Sequence, residues 1–172
     1  MPLMLWAALA VVGIPQAAPP RAPDVFYVPT PPAVVDAMLD LAKVGRDDVV
    51  YDLGCGDGRI PIAAATKYGA HGVGIDIDPK RIEEATENAK TANVTDLVTF
   101  RSEDLFDASI GEATVVMLYL LPSLNEKLMP KLQKELKPGT RIVSHGFTMG
   151  DQWPPEERRE VGGRTIYMWR IK

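Results

Sequence analysis

Seven residues in the first half of the chain, Asp52-Leu53-Gly54-Cys55-Gly56-Asp57-Gly58, set a carboxylate ahead of three glycines at alternate positions. Glycine has no Cβ and tolerates positive φ, so such a turn lets a ligand approach the backbone closely. The β-rich Val49-Val50-Tyr51 before it and the run Ile60 to Tyr68 after it predict a strand, a tight turn and a helix whose first N–H groups face that ligand. A second carboxylate, Asp76, lies 18 positions beyond Gly58. That is close to the spacing of about 20 at which dinucleotide sites place a ribose-binding acid. Its two oxygens can accept from a pair of vicinal hydroxyls. Asp104 follows a further predicted strand. The glycine turn and Asp76 imply a site for a ligand that carries a ribose.

The nicotinamide and flavin pattern Gly-x-Gly-x-x-Gly requires glycine at 59, where the chain has Arg59. A nicotinamide-linked oxidoreductase on a Rossmann domain is therefore the weaker alternative. The acid followed by Gly-x-Gly-x-Gly resembles instead the first motif of the class I S-adenosylmethionine (SAM)-dependent methyltransferases. Asp76 matches the family's second motif. Ser102-Glu103-Asp104-Leu105-Phe106 is similar to its third. The resemblance covers Tyr27 to the C-terminus. The proline-flanked Tyr27 segment, the run from Asp52 to Arg59-Ile60, and the Leu-Phe after Asp104 look like a small group that includes mitochondrial protein-lysine methyltransferases and bacterial relatives.

The resemblance implies SAM as cofactor and assigns roles to residues. Gly54, Cys55 and Gly56 approach the methionine part, and Asp52 orients its ammonium group. Asp76 holds the ribose, Ile77 packs on the adenine face, and Asp104 with Leu105 receives the adenine edge. Tyr27 and Thr30 cover the methionine end. The implied acceptor is a protein lysine, in a membrane protein for part of the group. A small-molecule acceptor and a non-catalytic SAM-binding module are the alternatives.

The acceptor side is read from two strand ends. Ala113 to Leu118 carries no charge, as suits a strand buried on both faces, and it exits into Tyr119-Leu120-Leu121-Pro122. Family members that methylate nucleobase or glutamine amines place Asn or Asp there, followed by Pro-Pro-aromatic. This exit offers only the Tyr119 phenol, which speaks against nucleobase amines. His145 ends the predicted strand Arg141 to His145, at the edge where ligands bind in open α/β sheets. Tyr119 and His145 are thus the catalytic candidates, His145 as base or orienting group. Phe147 and Trp153 follow as an aromatic wall or as core.

The positioning elements are βα units in series. They predict a doubly wound, mostly parallel sheet of seven strands in a single domain, closed by an antiparallel hairpin around Gly162-Gly163. A leading helix is expected from Pro31 to about Val44, with Thr30 as N-cap and Gly45 as its stop. Asp78 and Pro79 should open a helix to Ala92 whose charges, Arg81 among them, form a solvated face. Ser123 to Glu126 reads as a capping box, and Pro130 should kink or split the helix behind it.

The 172 residues, 46% of them hydrophobic, suit one domain with a proper core. A net charge of −4 argues against free nucleic acid as main partner. One cysteine and two scattered histidines offer no disulfide framework and no metal spacing. Residues Leu3 to Ile14 are uninterruptedly apolar but fall short of the ~20 needed to span a bilayer. They suit the core of an export signal, with a membrane-proximal anchor or a packed helix as alternatives. Residues 1–23 are accordingly set apart from a methyltransferase domain at 24–172.

Overall fold

A computed structural model describes residues 26–172. The signal-like stretch therefore lies outside the described residues. The elements are α1 (Pro32–Leu41), β1 (Val49–Leu53), α2 (Arg59–Tyr68), β2 (His71–Asp76), α3 (Pro79–Thr91), β3 (Val98–Ser102), β4 (Val115–Leu118), α4 (Pro122–Glu135), β5 (Arg141–His145), β6 (Glu157–Val161) and β7 (Arg164–Arg170). They build one seven-stranded sheet in the order β3-β2-β1-β4-β5-β7-β6. The first five strands in that order are parallel, and β7 is antiparallel to both β5 and β6. The order reverses between β1 and β4, which opens a crevice at the C-terminal strand ends.

Side-chain alternation along the strands divides the core. Val115 and Met117 join the cluster that receives α1 and α2, while Val116 and Leu118 join Leu128 and Leu132 of α4 on the other face. All four β4 residues are fully buried, as an uncharged central strand requires. On α1 the expected stripe of Val34, Val35, Met38 and Leu39 is buried. A smaller cluster seats α2 and α3 on β3 through Ala65, Ala89 and Val98.

Several local expectations are corrected. Thr30 does not cap α1: the helix begins at Pro32, its N-cap position is Pro31, and no side-chain cap bond forms. The Thr30 hydroxyl is engaged elsewhere. The helix stops at Leu41 rather than near Val44, because Lys43 takes a left-handed φ of 51° and passes the Val44 N–H back to the Leu39 carbonyl. The capping box at Ser123 does not form, since α4 starts two residues earlier than that cap requires, on Pro122, whose ring presets the helical φ. Pro130 does not split α4, which runs unbroken to Glu135. Asp78 caps α3 as expected, accepting from the Lys80 N–H at 2.9 Å. Arg81 leaves the solvated face of that helix and lies over the Tyr27 ring, 4.6 Å from its centre.

The third glycine of the turn serves packing. Gly58 has φ 77°, and a Cβ there would lie 2.7 Å from the Phe100 ring and 2.8 Å from Ala85. Gly58→Ala is expected to destabilise the fold by about 2–4 kcal/mol, combining left-handed strain with overpacking. Chemical denaturation checks it, and a loss below about 1 kcal/mol would contradict the packing role.

Candidate active site

The glycine turn is anchored to β2 by a shared acceptor. The N–H groups of Gly54 and Cys55 both donate to the Ile75 carbonyl, at 2.8 and 2.9 Å. Gly54, Gly56 and Gly58 all have positive φ, so the chain reverses sharply there. The Gly56 N–H then meets the Asp76 carboxylate at 2.9 Å, and the Asp78 N–H reaches the other Asp76 oxygen at 3.0 Å. Each oxygen keeps lone-pair capacity for a ligand hydroxyl.

One pocket at this crevice is lined by Tyr27, Thr30, Asp52, Gly54, Cys55, Asp76, Ile77, Asp104, Leu105 and Tyr119. The structure thus brings ten of the twelve candidate residues together. Gly56 and His145 do not line the pocket. Gly56 is covered by Tyr27: a Cβ on Gly56 would fall 2.1 Å from that ring. His145, 1% exposed, sits behind the wall. Its Nδ1 is 3.2 Å from the Thr30 hydroxyl, and its ring stacks on Tyr119 with centres 3.9 Å apart. Burial, and then the charge of Arg164, hold its pKa below the ordinary histidine value. Phe147 lies 6.4 Å from Tyr119, nearly parallel, whereas Trp153 turns inward against Trp169.

Sequence reasoning missed Asp57 and Arg59 as lining residues. Arg59 entered there as the residue that breaks the dinucleotide glycine pattern and as the end of the matched run from Asp52, without a role at the site. The pair sits two apart across the start of α2, a spacing that permits a fork-to-carboxylate contact and could have flagged it. Arg59 Nε and Nη2 reach the two Asp57 oxygens at 2.9 and 2.6 Å. Burial raises the Asp57 pKa, but the Arg59 bonds and charge, helped by the nearby Tyr27 phenol, outweigh it and hold the carboxyl below its usual range.

Asp52 is the electrostatic centre. It is 3% exposed, and its carboxyl group has no hydrogen-bond partner among the described residues. Burial first, then the charges of Asp76 and Asp57, push its pKa up to about 8. Burial and the charges of Asp52 and Asp76 likewise keep the Cys55 thiol protonated, so it is no nucleophile. A buried, unpartnered carboxylate calls for a cationic ligand end. Acids for vicinal hydroxyls and apolar side chains such as Ile77 and Leu105 complete a surface suited to an adenosyl group bearing positive charge.

Comparison with known proteins decides which one. Residues 52–157 match the family described as the ANTKMT methyltransferase domain. The chain belongs to this family. It is 48% identical over 154 residues to a protein-lysine N-methyltransferase of Saccharolobus islandicus, covering 87% of this chain and 95% of the relative. It is 32% identical to the adenine nucleotide translocase lysine N-methyltransferase of Mus musculus, over 96% of this chain and 69% of that one. A Salinibacter ruber structure described as an RNA methyltransferase with S-adenosyl-L-homocysteine superposes with a TM-score of 0.82 at 58% identity, covering 84% of this chain and 94% of its own. The protein is a SAM-dependent methyltransferase of the Rossmann-like class, as its first motif suggested.

Two outcomes follow for cofactor binding. Asp52 keeps its proton below about pH 8, while a bound ammonium group favours the carboxylate. Binding therefore expels a proton, and SAM affinity is expected to rise from pH 5.5 to 7.5, by at most tenfold per unit. Calorimetry in buffers of different ionisation enthalpy measures this, and a flat profile would exclude it. The same raised pKa makes stability fall as pH climbs from about 4 to 8, because the folded state then binds the extra proton. Asp52→Asn is thus expected to be more heat-stable than wild type at pH 8 yet to bind SAM more weakly. Separately, Asp76→Ala should weaken SAM binding by about 2–3 kcal/mol, the value of charge-assisted contacts; unchanged affinity would refute a ribose role.

Proposed function

We propose that the enzyme methylates a lysine side chain of a protein substrate with an apolar surface, such as a membrane protein. The observation that carries this reading is the exit of β4. Tyr119 lines the pocket there and Leu121 is 46% exposed, with no carboxamide or carboxylate to clamp a nucleobase amine. Phe26 at 97% and Val28 at 58% exposure add apolar surface to the mouth. Exposed apolar side chains beside the pocket suit a hydrophobic protein partner. The descriptions of the Saccharolobus and mouse relatives support the same acceptor class. The catalytic domain in this reading spans 24–172, with residues 1–23 as an export signal or anchor.

SAM supplies the methyl group already activated on a sulfonium. The chain's own work is positioning and exclusion of water. Asp52 receives the ammonium end, Asp76 the ribose, and Asp104 the adenine edge. A lysine must lose its proton before it can attack. The apolar walls of Leu120, Leu124 and Tyr119 favour the neutral amine by desolvation. The Tyr119 ring aligns the amine, and His145 acts from behind as the platform that orients that ring.

A second reading, an RNA acceptor, is favoured by the description of the Salinibacter relative. Against it stand the net charge of −4 and the β4 exit. Incubation of cell fractions with methyl-labelled SAM separates the two. Label is expected in material that resists ribonuclease, yields to protease and contains methyl-lysine by mass spectrometry; ribonuclease-sensitive label would favour RNA instead. Tyr119→Ala should lower turnover at saturating SAM at least tenfold while Tyr119→Phe stays within about threefold. A Tyr119→Phe enzyme as slow as Tyr119→Ala would assign the work to the phenol.

A further inference from the structure

Residues 26–31 belong to no helix or strand. Among the described residues, none of 26–30 makes a backbone hydrogen bond to another backbone group. Yet this segment supplies Phe26, Tyr27, Val28 and Thr30 to the cofactor pocket. Something other than regular structure must hold it. The contacts converge on one side chain. Arg59 spends Nε and Nη2 on Asp57 and aims Nη1 at the Thr30 carbonyl, 2.9 Å away and 29 residues earlier in the chain. Asp57, so fixed, acts electrostatically on the Tyr27 phenol, whose pKa burial first and then this carboxylate raise. The Tyr27 ring lies on Gly56, with Arg81 packed over it. The Thr30 hydroxyl is held from the other side by His145, the residue beneath Tyr119.

We propose that Arg59 is a positioning residue whose guanidinium latches segment 26–31 onto the glycine turn, so that the wall formed by Tyr27 and Thr30 stands only when the latch is made. Only a planar fork with a third donor can grip Asp57 at two points and Thr30 at once; an ammonium cannot. Glycine at 56 is required by the same device, since any side chain there would displace the Tyr27 ring. Through Thr30 the latch also touches the acceptor side, because one residue is tied to the cofactor turn by its carbonyl and to His145 by its hydroxyl. The inference rests on the SAM site and not on the identity of the acceptor.

Calorimetry with S-adenosylhomocysteine on the full chain tests it without turnover. Arg59→Ala and Arg59→Lys are each expected to weaken binding tenfold or more. In a Tyr27→Ala background, Arg59→Ala should cost threefold or less, because the wall is already gone. Limited chymotrypsin digestion gives an independent readout: cleavage at Phe26 and Tyr27 should be several-fold faster in both Arg59 variants, and S-adenosylhomocysteine should protect the wild type far more than either. Arg59→Lys keeps a charge and a long stem and carries the test should Arg59→Ala not fold. Affinity within twofold of wild type, or losses that multiply fully with Tyr27→Ala, would overturn the latch. A wild-type chain that binds no S-adenosylhomocysteine would instead overturn the cofactor reading itself.

Discussion

Two successive amides, Gly54 and Cys55, share the carbonyl oxygen of Ile75, and the site depends on that shared anchor. It ties the end of β1 to the end of β2 at the point where the chain must turn sharply. With β1 and β2 in parallel register, Asp52 and Asp76 end on neighbouring strands at the same edge. The Gly56 amide can then reach Asp76. Three left-handed glycines make the turn tight enough for this, and a side chain at 56 or 58 would collide with Tyr27 or Phe100.

The cost of the arrangement is electrostatic. Asp52, Asp57 and Asp76 sit close enough for Asp76 and Asp57 to disfavour ionisation of the buried Asp52. Asp57 is compensated within the protein by Arg59, and Asp76 by two backbone amides. Asp52 has no such compensation among the described residues. A cationic ligand end placed beside Asp52 would supply the missing positive charge.

The acceptor side follows a different principle. His145 is buried behind Tyr119 rather than presented at the crevice, and it binds Thr30 instead of a reacting atom. Its lowered pKa fits a neutral ring used as a stacking platform. The wall around Tyr119 is then aromatic and aliphatic, an environment that favours a neutral amine by desolvation.

Read from the chain alone, the ordering of strands and helices, the buried character of β4, the stripe on α1, the Asp78 cap and the acid–glycine motif were all legible. Each is written locally, in side-chain period or in the backbone demands of glycine and proline. Eight of the candidate positions shared one pocket for the same reason: parallel strands deliver their C-terminal residues, and the turns that follow them, to one edge. What the chain could not show were contacts between distant segments. The Thr30 hydroxyl looked like a cap and instead met His145, 115 positions away. Arg81 looked solvated and instead covered Tyr27, and Gly56 looked like room for a ligand and instead seated that ring. Local sequence determines which backbone shapes are affordable and which faces must be buried. Only the assembled sheet, by fixing which strand ends lie side by side, decides whose side chain fills the space that a glycine leaves.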